Sequence, residues 1–147
     1  MKAKRYFLVF GLALTLAAFC GCQTASEKTS AWQLVPPIAQ GQSRIWFYRP
    51  GTFFGKGITP VVEINYETVG EVELGKALYV DRPPGNYVVE YKVHGMRAGK
   101  DYMELAAGMT RYVRLKQAQP FMKEGVRKIG EEKGMKELHT CEPVKGR

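Results

Sequence analysis

Beyond residue 22 the sequence contains one cysteine, Cys141, and two histidines, His94 and His139. That scarcity rules out several chemistries. The C-x-C at 20–22 supplies two soft ligands, but no second C-x-x-C or H-x-x-x-H follows, so a four-ligand zinc site has no sequence basis. A disulfide framework fails for the same reason. No G-x-S-x-G or H-E-x-x-H appears, and G55-K56-G57 and G75-K76-A77 lack the glycine spacing and the Ser/Thr that a phosphate-binding loop needs. Long helical patterns are missing between residues 43 and 118, as is any β–α alternation, which excludes doubly wound architectures. The one uncharged apolar run, 7–19, is shorter than the roughly 20 residues that cross a bilayer.

What is present begins with that run. Lys2, Lys4 and Arg5 precede it, which is the pattern of a secretory leader. It ends in F-C-G-C-Q, where the small residue Gly21 stands directly before Cys22. This resembles the lipobox of bacterial lipoproteins. The resemblance makes residues 1–21 a removed signal peptide and Cys22 the lipidation site, carrying a diacylglyceryl group and fatty acid such as palmitate. Cutting before Cys20 would put Phe19 where a small residue belongs, so Cys22 is the better anchor. If Cys20 were the anchor instead, Cys22 and Cys141 could pair. Each buried methylene contributes about 0.8 kcal/mol, so two or more chains hold stably. Gln23, in place of Asp, resembles lipoproteins sorted to the outer membrane, which implies export to its periplasmic face.

Residues 22–42 form the lipidated N-terminus and a linker rich in Thr, Ser, Gln and Ala. At about 3.3 Å per residue, 24–42 reach at most roughly 60 Å. Trp32, Leu34, Val35 and Ile38 are unusually apolar for a free linker, which leaves open whether its second half packs on the domain. Charge is uneven. Loss of Lys2, Lys4 and Arg5 leaves 19 basic against 14 acidic residues, and residues 111–147 hold ten basic against five acidic, which accounts for the whole excess.

From residue 43 the character changes. R-I-W-F-Y-R at 44–49, P-V-V-E-I-N-Y at 60–66, V-G-E-V-E-L at 69–74, D-Y-M-E-L at 101–105 and T-R-Y-V-R-L at 110–115 are β-branched and aromatic runs bounded by Gly or Pro. Y-V-V-E-Y-K-V-H at 87–94 places Tyr87, Val89, Tyr91 and Val93 on one face. Turns fall at 65–68 and Ala107-Gly108, and P-P-G at 83–85 suits type II geometry. Six or so short strands predict an all-β fold, a small antiparallel β-sandwich over 43–118. Residues 119–147 form a basic extension that completes it, with an extended segment through Ile129 and a short helix at about 131–138 that buries Met135 and Leu138.

The order of these motifs resembles an uncharacterised family of bacterial lipoprotein domains with a prealbumin-like β-sandwich, over about 43–138. Its motifs are turn and core positions, so the resemblance implies a fold and carries no chemistry. His139 and Cys141 lie near the C-terminal end, where the expectation is a mobile, exposed and unconnected pair, with Cys141 a free thiol or an intermolecular bridge. His94 reads as a turn residue. Glu63, Glu71 and Glu73 would pair as acid and base only by accident of folding. The expectation is therefore a non-enzyme with no cofactor and no metal: a membrane-anchored binding or adaptor module for an envelope protein partner. Its candidate contacts are Phe53, Phe54 and Lys56, with Trp46 and Tyr48 more readily placed in the core. The alternative is a structural envelope component whose basic end, Arg111, Arg114, Lys123, Arg127 and Lys128, meets anionic lipid or cell-wall polymer. Export leaves no nucleic acid to bind.

Overall fold

The computed structural model describes residues 31–51, 56–116 and 126–147. The leader, Cys22, Phe53, Phe54 and Lys123 lie outside the described residues. Among the described residues nine strands form two sheets: β1 (Ser43–Tyr48), β2 (Val61–Ile64), β3 (Glu67–Glu71), β4 (Lys76–Arg82), β5 (Gly85–Val93), β6 (Met96–Leu105), β7 (Thr110–Leu115), β8 (Val126–Ile129) and β9 (Glu142–Lys145). The five-stranded sheet runs β8-β7-β1-β4-β9 and the four-stranded sheet β3-β2-β5-β6. The all-β sandwich expected from the sequence is what the chain forms. Its pairings are antiparallel except β1 with β7 and β4 with β9, which are parallel.

The helix explains the second exception. Helix α1 (Glu131–Leu138) lies between β8 and β9, which occupy opposite edges of one sheet and point the same way. Parallel strands need a crossover, and α1 supplies it across the sheet's outer face. Strand β1 is consequently buried on both sides. Ile45 and Phe47 enter the inter-sheet core with Val62, Leu78, Val89 and Val113. Trp46 and Tyr48 point the other way, into a second cluster with Tyr79, Tyr112, Leu138 and Cys141. Strand β4, absent from the expected strands, has the same double burial. Residues 77–80 are continuously apolar and buried, so they lack the alternation that marks a one-faced strand.

Gly134 sets how closely α1 approaches. A Cβ there would lie 2.5 Å from Tyr112 Cγ and 2.7 Å from Tyr112 Cβ. The contact face is therefore Gly134 and Leu138, both buried, whereas Met135 is 45 % exposed, contrary to the expected packing of Met135. Gly85 also departs from expectation. Its φ of 157° is close to extended, not the roughly +80° of a type II turn, because Pro83-Pro84 carries the chain from one sheet to the other.

The second half of the linker docks. Ala31–Leu34 form a 3-10 turn, and Trp32 stacks tilted on Trp46 (5.3 Å) and His139 (5.0 Å) while its Nε1–H donates to the Cys141 carbonyl at 3.1 Å. Val35 joins the same cluster, whereas Leu34 stays exposed. Arg44 clamps the segment further. It makes a bidentate pair with Asp81 (2.6 and 2.7 Å), lies 4.6 Å from the Tyr79 ring centre and donates to the Pro36 carbonyl at 2.8 Å.

Candidate functional site

The outer face of the four-stranded sheet has no layer over it among the described residues, yet two glutamates on it are buried. Glu63 of β2 and Glu90 of β5 are direct cross-strand partners at 7 % and 1 % exposure. Like charges placed opposite one another destabilise a sheet, and buried carboxylates require partners. Cations from neighbouring strands supply them. Lys92 Nζ is 2.7 Å from Glu63 Oε1, and Lys100 Nζ and Arg97 Nε stand 3.1 and 3.5 Å from Glu90 Oε1. Satisfaction is incomplete, because Glu63 Oε2 and Glu90 Oε1 are buried with no hydrogen-bond partner among the described residues, the latter held by its ion pairs alone. Replacing such a cluster with well-packed hydrophobic residues of similar volume is often neutral or stabilising, so stability alone does not account for it.

Two tyrosines stand over these charges. Tyr66 is 64 % and Tyr102 66 % exposed. Lys100 Nζ lies 5.2 Å from the Tyr66 ring centre and 5.5 Å from that of Tyr102, and it donates to the Tyr66 hydroxyl at 3.2 Å. Hydrogen bonding to Tyr66, and then to Glu90, raises the Lys100 pKa above its ordinary value, so the ammonium between the rings stays charged.

Local structure fixes Tyr66. It is the second residue of the two-residue β2–β3 turn, with Asn65 at φ 49° and Tyr66 at φ 69°. Glycine is the usual occupant of that second position, and a bulky residue there is strained. Asn65 holds the turn by donating its N–H to the Val88 carbonyl (2.8 Å) and accepting the Val88 N–H on Oδ1 (2.9 Å). Beside Tyr102 the surface dips into a groove of about 490 Å³ lined by Asn86, Glu104, Arg111 and Lys128.

The residues singled out in the sequence are scattered. Glu63 meets Glu90, while Glu71 and Glu73 are exposed on β3 and after it. His94 sits at φ 51° in the exposed β5–β6 turn, as expected. Cys141 is the main correction, being 4 % exposed in an ordered C-terminal segment. The turn after α1 and the parallel β4–β9 pairing hold it there. Its thiol contacts Thr140 Oγ1 and the Glu137 carbonyl, each at 3.9 Å, and burial pushes its pKa up. The exposed His139 stacks on Trp32. Cys141 is a free, buried cysteine among the described residues.

Lys56 is exposed, while Trp46 and Tyr48 are core. Lys76, of the G-K-A motif, pairs with Glu142 at the β4–β9 ladder. The basic end divides. Arg114 pairs with Glu137 (3.0 Å) and Lys128 with Asp101 (3.3 Å), while Arg111 and Arg127 are exposed.

A larger groove, about 810 Å³, lies beside α1 and is lined in part by Arg114, Lys133, Lys136 and Glu137. Glu137 is already committed, accepting from the Tyr48 hydroxyl (2.9 Å) and from Arg114 Nη1 (3.0 Å). Burial, and then that bond to Glu137, raises the Tyr48 pKa far above its ordinary value. Among the described residues no group of three or more His, Cys, Asp or Glu is placed to hold a metal ion. No helix among them is long and apolar enough to cross a membrane.

Sequence reasoning did not select Tyr66, Glu90, Lys92, Arg97, Lys100 or Tyr102. Two signals were available: an Asn-Tyr turn where Asn-Gly is usual, and charges of one parity, Glu90 and Lys92 on β5 opposite Lys100 and Arg97 on β6, with Tyr102 opposite Val88. No curated protein matches the chain. A family model does match residues 39–127, a stretch that holds β1–β7 and every residue of the tyrosine–lysine face, and the chain belongs to that family, described as protein of unknown function (DUF2846).

Proposed function

We propose that this chain is an exported lipoprotein, anchored through Cys22 to the periplasmic face of the outer membrane, whose sandwich acts as a non-enzymatic binding or adaptor module. The observation that carries the binding role is the Tyr66–Lys100–Tyr102 face over Glu63 and Glu90. Exposed tyrosines with arginine nearby are the side chains that dominate recognition surfaces. The alternative, a basic end lying on anionic lipid or cell-wall polymer, has less free charge to draw on, since Arg114 and Lys128 already pair with carboxylates.

Docking of the linker supports an oriented module. From Cys22 to the docked Ala31 is nine residue steps, about 30 Å of fully extended chain. The lipid would thus hold the α1 side toward the bilayer, and the tyrosine–lysine face, on the opposite side of the sandwich, away from it. Intact-mass analysis of the membrane-extracted protein tests the anchor. The expected species begins at Cys22 and carries a diacylglyceryl group; a chain that retains residues 1–21, or carries lipid on Cys20, refutes the assignment.

A further inference from the structure

We infer that the outer face of the four-stranded sheet binds a carboxylate-bearing cell-wall glycan, which runs across Tyr66, Lys100 and Tyr102 into the groove at Arg111. This deepens the binding-module reading and rests on it. Three features select the ligand class. Exposed tyrosine rings present negative faces, on which the weakly positive C–H faces of sugar rings can seat. Lys100 holds both rings and keeps donors between them.

The centre of the face is charged as well as aromatic. Dry protein interfaces are depleted of charge at their cores, and sealing Lys92, Lys100 and Arg97 under one would cost their hydration. A hydrated polyol replaces that water with hydroxyl groups and bridging waters. In the adjoining groove Lys128 is paired with Asp101, whereas Arg111 is exposed and has no carboxylate partner among the described residues. A carboxylate on the glycan is the complementary group. A lipid surface is the wrong occupant because the docked Trp32 segment leaves the body on the other side of the sandwich.

The test is co-sedimentation of the full chain, in mild detergent, with purified insoluble cell-wall sacculi. The parent is expected in the pellet. The Tyr66→Ala/Tyr102→Ala double variant should bind about tenfold to a hundredfold more weakly, with an unchanged near-ultraviolet spectrum from the buried tryptophan cluster. Tyr66→Phe/Tyr102→Phe should retain binding, because the rings remain. Arg111→Ala should weaken binding to sacculi and leave binding to a neutral N-acetylglucosamine oligomer unchanged. Failure of the parent to sediment, or equal sedimentation of the double alanine variant, overturns the proposal. Binding abolished by protease treatment of the sacculi identifies a protein ligand, which overturns the glycan and leaves the binding-module reading standing.

Discussion

Gly134→Ala places two physical effects in direct opposition. In an exposed helix interior the change stabilises by about 1 kcal/mol, since alanine loses less conformational freedom than glycine. At this position the new methyl would sit 2.5 Å from Tyr112 Cγ and 2.7 Å from Tyr112 Cβ, at the root of the side chain, where rotation of the ring gives no relief. Overpacking of this kind costs about 1–3 kcal/mol, and contact near the backbone belongs at the upper end. The net expectation is destabilisation of about 2 kcal/mol, read by urea unfolding with tryptophan fluorescence as the signal. Lys133→Ala, on the exposed side of the same helix, should change stability by less than about 0.5 kcal/mol. Tyr112→Ala removes the contacts with Cγ and the ring but keeps Cβ, so adding Gly134→Ala in that background should cost less than it does in the parent. A Gly134→Ala protein as stable as the parent, or more so, would refute the claim that glycine sets the distance between helix and sheet.

Trp32→Ala removes the stacking on Trp46 and His139 and the bond to Cys141, and should cost about 2 kcal/mol, less than a fully buried Trp→Ala. The same variant should speed alkylation of Cys141 by iodoacetamide, which in the parent at pH 8 should wait for unfolding. Glu63→Thr relieves the like-charge pair with Glu90, and thermal unfolding should show stability unchanged or raised by about 1 kcal/mol; a large loss would mean that the carboxylate is structural. Stability should also fall in alkali. Burial raises the folded pKa values of Cys141, Tyr48 and Tyr112, so their contribution is intact below the unfolded values of about 8.5 and 10 and is lost as pH rises beyond them. Urea midpoints at pH 8 and pH 10.5 measure the drop, and Cys141→Ser should flatten its first part.

Where side chains alternate, the sequence identified strands by period. Tyr87, Val89, Tyr91 and Val93 face the inter-sheet core as the alternation in β5 requires. It gave no such signal for β4, whose residues 77–80 are covered on both sides, nor for the four-residue β9, whose register depends on the α1 crossover. The helix at 131–138 and the burial of Leu138 were legible, but Gly134 in place of Met135 on the contact face was not, because that contact depends on an absent side chain. Half of the candidate site had a local signature, the Asn-Tyr turn. The other half exists only through register: Glu90 becomes a buried charge because pairing sets it beside Glu63 and Lys100, residues 27 positions before it and 10 after it. Cys141 shows the same limit, since the cluster that buries it gathers Trp32, Trp46, Tyr48, Tyr79 and Tyr112 from distant segments around the nearby Leu138.

The central claim is that the two outer faces of the sandwich look toward different surroundings, the docked segment toward lipid and the tyrosine–lysine face toward a ligand. A photo-crosslinking residue placed in living cells at position 34 or 102, both exposed in the structure, probes this directly. Adducts should be lipid at 34 and detergent-insoluble, protease-resistant wall material at 102. Lipid adducts at 102, or the same adducts at both positions, would contradict it.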